Sequence, residues 1–237
     1  MTMRLAKILI VSSALAILPA AAFAGANDGN GAQHQQPAAQ GSTILNGQVT
    51  FGAQWSTVNT KVDNVGGDVV IQSQGAGNVL EAVTFDDTHV TSSQDAESTN
   101  IGSTVNAGVS NVGGSVSISG TAVCNSTDVS TDPNITAVNS TQYCGAQDPG
   151  SEVNANVRNV AGDVAIQSTA FGNNYTEDTN AANAPTQIVQ TNTSQVFGTA
   201  NATIRNVGGS VGVTSSAIGN NAQIVHYSTD AATTGGQ

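Results

Sequence analysis

The sequence predicts an all-β solenoid, a chain wound into stacked coils of β-strands. Three observations lead to this prediction. A tetrapeptide of the form Asn-Val-(Gly/Ala)-Gly recurs four times, and apolar and polar residues alternate on both sides of it. The composition favours Val, Thr, Gly and Asn over helix formers, and only 9% of the residues are charged. Either a right-handed or a left-handed coil is compatible with this pattern.

The repeat has a regular length. The motif asparagines stand at positions 64, 111, 159 and 206, so successive repeats are 47, 48 and 47 residues apart. A fixed period of this size is typical of solenoids and related repeat architectures. The shared motif positions are Asn64, Val65 and Gly67; Asn111, Val112 and Gly114; Asn159, Val160 and Gly162; and Asn206, Val207 and Gly209.

Each repeat reads as strand, turn, strand, turn. Residues 105–109 and 115–119 alternate with the two-residue period of a half-buried strand. Between them, Gly113-Gly114 supplies backbone freedom for a turn, including positive φ. The pair Gly172-Asn173 predicts the next corner.

The coil is predicted to take about half of the repeat. Val83 and Val90 reproduce the seven-residue gap between Val62 and Val69. A coil of roughly 23 to 24 residues gives roughly seven coils and a rod of about 30 to 35 Å at the usual spacing between strands.

Stacking assigns roles to the repeated residues. The motif valines and the row that follows the glycines are predicted to point inward and form the core. Asparagines recur at fixed positions, for example Asn59 and Asn106. Their amides are expected to form hydrogen-bonded ladders between layers.

The chain divides into five segments. Residues 1–24 read as a signal peptide, with a basic start, an apolar run and Ala22-Phe23-Ala24 before the cleavage site. Residues 25–41 are a polar, disordered leader. Residues 42–56, with Phe51 and Trp55, are predicted to cap the first coil. The solenoid is assigned to residues 57–228, and residues 229–237 form a flexible tail.

The net charge limits which partners the protein can bind, and the cysteines indicate the compartment in which it works. The formal net charge is −11 and becomes −13 when the signal peptide takes away Arg4 and Lys7. Such a field repels nucleic acid. Cys124 and Cys144 are the two cysteines of the chain, and in an exported protein they are predicted to form a disulfide.

Candidate catalytic groups are few. Asp68 and Asp163 share one repeat position, and Asp86-Asp87 and Glu177-Asp178 add carboxylates that could serve a polysaccharide-active β-helix enzyme. The simpler interpretation is that they are solvated turn residues, so neither an enzyme nor a cofactor is predicted. The histidines lie in unrelated contexts, at His34, His89 and His226.

Two family resemblances follow from the repeats. The segments 72–78 and 216–222, with Gln, Gly and Asn at their corners, resemble parts of curlin repeats. The signal peptide, the size and the Asn-Val-Gly-Gly repeats are similar to the holdfast-anchor proteins of stalked Gram-negative bacteria. This second resemblance implies an outer-surface protein that assembles with partners and ties an adhesive polysaccharide to the cell envelope.

The sequence therefore predicts a secreted structural protein for adhesion or holdfast anchoring, associated with the outer membrane or the extracellular surface. The alternative within the same class is a self-polymerising, curli-like fibre subunit. The expected partners are other surface or anchor proteins, another copy of the chain, and extracellular polysaccharide. Because a solenoid ends in open strand edges, we predict assembly through the C-terminal end, near Val211, Val213 and Ile224.

Overall fold

The computed structural model describes residues 42–84, 88–97, 100–131, 135–179 and 185–226. These residues form twelve β-strands and no helix, and none of them contributes a helix able to span a membrane. The strands are β1 (Ser42–Thr50), β2 (Gln54–Val65), β3 (Val69–Thr84), β4 (Thr88–Ala96), β5 (Ile101–Val112), β6 (Val116–Thr131), β7 (Ile135–Cys144), β8 (Gly150–Val160), β9 (Val164–Thr179), β10 (Thr186–Asn192), β11 (Phe197–Val207) and β12 (Val211–His226).

The strands build a β-solenoid with three sides, which confirms the predicted fold class. Sheet A contains β1, β4, β7 and β10, sheet B contains β2, β5, β8 and β11, and sheet C contains β3, β6, β9 and β12. All pairs are parallel, so every strand lies beside its equivalent in the next repeat. One coil therefore consists of three consecutive strands, and we number the four coils as layers 1 to 4.

The predicted coil length of half a repeat is wrong. Val65 pairs with Val112, and Val112 pairs with Val160, so one full repeat separates neighbouring layers. The described solenoid thus has four coils instead of roughly seven, and about 14 Å separate the first and last strand layers. The misleading signal was Val83, which points outward and is 56% exposed, whereas Val62 packs against the core.

The motif valines form continuous rows in the main core. Val65, Val112, Val160 and Val207 pair in sequence along sheet B, and the two central ones are buried. A second row, Val69, Val116, Val164 and Val211, runs along sheet C. The two sheets face each other through these rows; Val65 and Val207 in the outermost layers are only partly buried, Val69 is buried and Val211 is exposed. Burial in this core comes from neighbouring layers, as expected for a repeat protein.

Positive φ occurs at asparagine instead of glycine in the corner between sheets B and C. Asn64, Asn111, Asn159 and Asn206 have φ between 54° and 58°, and no described glycine has positive φ. Asparagine tolerates this left-handed region better than most residues. These four asparagines are called the corner row. Asn111, Asn159 and Asn206 each also donate to the preceding layer, for example Asn159 to Asn111 at 2.8 Å.

The corner glycines are required by the close approach of the layers. A Cβ on Gly113 would lie 2.7 Å from the carbonyl oxygen of Gly66, and a Cβ on Gly162 would lie 2.7 Å from that of Gly114. Both distances are shorter than real contacts. Glycine is therefore needed at these corner positions, as predicted, but the reason is the lack of room for a side chain and not a positive φ.

The predicted corner at Gly172-Asn173 is not a chain turn. Strand β9 continues through both residues, and only the pairing skips the Gly172 column. Asn173 instead points inward and belongs to the inner asparagine ladder, Asn78, Asn125, Asn173 and Asn220. The Nδ2 of each of the first three donates to the Oδ1 of the next layer at 2.8 Å, toward the C-terminal end.

A glutamine ladder crosses the interior in the opposite direction. It consists of Gln48, Gln94, Gln142 and Gln190. The Nε2 of each of the last three donates toward the N-terminal end, to the Oε1 of the preceding layer at 2.8 to 3.0 Å. Each Nε2 also donates to a backbone carbonyl of sheet C, as Gln142 does to Asn174. In the inner asparagine ladder, each Nδ2 likewise donates to a backbone carbonyl of sheet A, as Asn125 does to Tyr143. The two ladders thus fasten sheets A and C together through satisfied polar groups.

The two cysteines connect adjacent layers. Cys124 lies in β6 of layer 2 and Cys144 in β7 of layer 3, both fully buried, with an S–S distance of 2.10 Å. The bridge therefore staples layers 2 and 3 across the interior instead of remaining within one repeat. Disulfide formation in exported protein stays a prediction.

Candidate functional site

The residues predicted as an assembly edge lie in layer 4, at the C-terminal end. Val211, Val213 and Ile224 all belong to β12 and are 50%, 42% and 46% exposed. Their partners in layer 3 are Val164, Ile166 and Glu177, which are buried. The edge residues thus occupy interior rows that no described residue covers.

The backbone at this end is also unpaired. In layers 1 to 3, the N–H at the start of the sheet C strand donates to the next layer; Val164, for example, donates to Ser210 at 2.8 Å. The equivalent N–H of Val211 points away from layer 3, toward space that no described residue fills. An open parallel edge of this kind is a template for another strand.

The predicted cap at residues 42–56 is instead part of layer 1. Strand β1 pairs with β4, and the start of β2 pairs with β5, so this segment forms one side and a corner of the first coil. Phe51 and Trp55 are 66% and 50% exposed and do not cover the interior. No described strand precedes layer 1, so β1, β2 and β3 are edge strands, although Val69 and Ile71 of β3 are buried.

The outer face of sheet B carries an unusual set of side chains. The three Lys and Arg residues of the described chain, Lys61, Arg158 and Arg205, all lie on it and are exposed. It also carries the outer asparagine ladder, Asn59, Asn106, Asn154 and Asn201, whose successive amide bonds measure 2.7 to 3.0 Å. A shallow groove follows this ladder, with Asn156 and Thr203 on its other side.

Two aromatic residues flank this face. Trp55 and Phe197 occupy the same column in layers 1 and 4, with Gly102 and Gly150 between them. The Trp55 ring lies over Gly102, where any Cβ would collide with it. The sequence prediction missed this pair, although aromatic residues at equal repeat positions were a readable signal.

The acidic residues do not converge on one site. Asp68 and Asp163 lie two layers apart at the corner between sheets B and C, and each accepts the backbone N–H of the next layer at 2.7 Å. Glu177 is buried and accepts a hydrogen bond from the Tyr175 hydroxyl at 2.7 Å. Burial, and to a lesser degree this hydrogen bond, raise the pKa of the Tyr175 phenol. Asp86-Asp87 lies outside the described residues. This scatter favours the scaffold interpretation.

The histidines are dispersed, whereas Asp128, Glu81 and Asp178 lie near one another in sheet C. His89 is placed near Asn139, at 3.5 Å, while His34 and the side chain of His226 lie outside the described part. The described residues contain no cluster of His, Cys, Asp and Glu that would hold a metal ion. The pKa of Asp128 is raised by burial and by the neighbouring carboxylates of Glu81 and Asp178.

Comparison with known protein families gives a match over most of the described chain. A family model described as holdfast attachment protein D matches residues 82–237, which is more than half of the chain. No curated protein and no solved structure matches the sequence.

Proposed function

Because the chain belongs to the holdfast attachment protein D family, it is a cell-surface protein of holdfast anchoring, and we propose that it anchors by docking its open C-terminal end onto a surface partner. The surface is the outer membrane of a Gram-negative bacterium. The family is structural, and the chain acts through strand pairing instead of catalysis.

The exposure of interior rows in layer 4 carries this proposal. Val211 and Val213 continue rows that are buried in layers 2 and 3, so the end presents apolar side chains and unpaired backbone together. A partner strand added here gains main-chain hydrogen bonds and covers these side chains, as in β-augmentation.

Replacing Val211 with proline is expected to release the holdfast from cells. Proline is tolerated at the first residue of an edge strand, and here it removes an N–H that no described layer uses. The fraction of cells that retain holdfast, measured in a strain that carries only this variant, should fall at least severalfold, with shed holdfast in the medium. Val211→Thr keeps the N–H and the β-branched shape and should anchor normally.

Two measurements decide the result. Surface fractionation must show equal amounts of the variant and the parent protein, so that export is unchanged. If Val211→Pro cells at equal surface level keep their holdfast as the parent does, docking through this end is not the mechanism.

The outer face of sheet B supports a second proposed contact, with the polysaccharide itself. Exposed aromatic rings and amide ladders are the groups that stack on sugar rings and hydrogen-bond to hydroxyls. The three basic side chains place positive charge on this face of an otherwise acidic chain. We therefore infer that polysaccharide lies along the outer asparagine ladder, between Trp55 and Phe197.

Trp55→Ala is expected to weaken polysaccharide binding severalfold. The measurement is co-sedimentation of the purified full chain with holdfast polysaccharide released from cells. Phe51→Ala is the matched control, because Phe51 is also an exposed aromatic residue but lies outside this face. Equal losses in both variants, or none in either, would show that this face does not bind the polymer.

A further inference from the structure

We propose that the partner of the C-terminal end is the N-terminal end of a second copy, stacked in register so that its β1, β2 and β3 form a fifth layer. This inference rests on the proposed function, since it names the occupant of the same end. The four described layers already show which residues of one repeat meet those of the next. The junction repeats that register, with Gln48 on Gln190 and Val69 on Val211.

The polarity of the glutamine ladder matches this arrangement. Among the described residues, Gln48 donates one N–H of its amide, to the carbonyl of Val79, and the Oε1 of Gln190 accepts no hydrogen bond. Gln94 and Gln142 use the second N–H to reach the preceding layer. Stacking supplies the missing partner, because Gln48 of the second copy donates to Gln190 of the first.

The outer asparagine ladder has the same polarity. Asn106, Asn154 and Asn201 each donate to the preceding layer, and the Oδ1 of Asn201 accepts no hydrogen bond from a described residue. At the opposite end, the Nδ2 of Asn59 donates to no described residue. The two ends of the solenoid thus carry complementary halves of one repeating hydrogen-bond pattern.

Charges at the two ends are complementary as well. One outer column of sheet B runs Asp63, Ser110, Arg158, Arg205, so it begins with a carboxylate and ends with a guanidinium. Stacking brings Asp63 of the second copy onto Arg205 of the first. The hydrogen bond from Ser110 and, to a lesser degree, that from Asn111 lower the pKa of Asp63, which keeps its carboxylate ionised.

The corner between sheets B and C gives a further match. Its column alternates Asp68, Ser115, Asp163, Ser210, and each backbone N–H bonds to the side chain of the preceding layer. In the junction, the N–H of Asp68 meets the hydroxyl of Ser210, as that of Asp163 meets Ser115 at 3.1 Å. The alternation continues and never places two carboxylates side by side.

Contact between two identical ends lacks these features. Two C-terminal ends would pair their strands antiparallel, so no row would continue across the junction. Both would also offer the same acceptors, at Gln190 and Asn201. The complementarity is specific for head-to-tail stacking.

Single-cysteine variants test the register directly. Asn59→Cys and Asn201→Cys lie on the exposed outer ladder, and the two native cysteines are bonded to each other. In the proposed junction, the two new cysteines are about 4.8 Å apart, within the range for a disulfide. Mixing the two purified full-length variants under mild oxidation should give at least tenfold more disulfide-linked dimer than either variant alone.

Three controls make the result decisive. Thr57→Cys mixed with Asn201→Cys is two residues out of register and should link poorly. Arg205→Glu in the Asn201→Cys chain should reduce the yield severalfold, and Asp63→Lys in the Asn59→Cys chain should restore it. No dimer in the mixture, or equal dimer in each variant alone, would overturn the proposal.

The remaining outcomes concern other occupants. If dimer forms only after residues 227–237 or 25–41 are removed, a segment of the same chain covers the end, and self-stacking is wrong for the intact protein. Loss of anchoring by Val211→Pro together with absent cross-linking would leave docking in place but assign it to a different surface protein. A variant that carries both cysteines should give cross-linked ladders longer than a dimer, because head-to-tail stacking continues at every open end, as it would in a curli-like fibre.

Discussion

Val160→Asp is expected to destabilise the solenoid by on the order of 3 to 5 kcal/mol, because it buries a carboxylate without a partner. Val160 is buried in the third layer, between Val112 and Val207 of the same row. Native domains are stable by only about 5 to 15 kcal/mol, so the loss is a large share of the total. Urea unfolding monitored by circular dichroism gives the free energy of unfolding.

Val207→Asp is the matched control for this prediction. Val207 lies in the same row but in the last layer, where it is only partly covered. Its carboxylate keeps contact with water, so the loss of stability should be clearly smaller. Equal stabilities of Val160→Asp and the parent protein would show that this row is not the core.

Asn125→Ala is expected to cost on the order of 3 kcal/mol or more, because it leaves several buried polar groups without partners. Asn125 accepts from Asn78 and donates to both Asn173 and the carbonyl of Tyr143, each at 2.8 Å. The residue is fully buried, so water does not replace these bonds.

Asn106→Ala provides the comparison in the outer ladder. Asn106 makes similar amide bonds to Asn59 and Asn154, but it is exposed, and water takes over its partners. The loss should stay below about 1 kcal/mol. If both variants lose the same free energy of unfolding, burial does not determine the strength of these ladders.

The sequence contains most of the fold because the repeats align residue by residue. Identical positions such as Val112 and Val160 must share one environment, which predicts both rows and stacking. The length of one coil was harder to predict, because Val83 and Val90 imitate the spacing of Val62 and Val69. Only the packing shows that Val83 points outward.

The glutamine ladder and the position of Trp55 were not predicted from the sequence. The glutamine ladder was visible as Gln48, Gln94, Gln142 and Gln190, spaced 46, 48 and 48 residues apart. The position of Trp55 depends on its ring lying over Gly102, a contact between layers that no local pattern encodes. The exposure of Val211 and Val213 in layer 4 is likewise a property of the stack, since the same rows are buried in layers 1 to 3, where another layer follows.

The parallel register gives the solenoid a particular response to mechanical load. A force that pulls the two ends apart along the axis acts on all three strands of a layer at once, so their backbone bonds and ladders must yield together. A force applied at one corner would instead separate the bonds one after another. The disulfide between layers 2 and 3 adds a covalent link at the centre of the rod. The solenoid is therefore expected to resist tension best when the load runs along this axis.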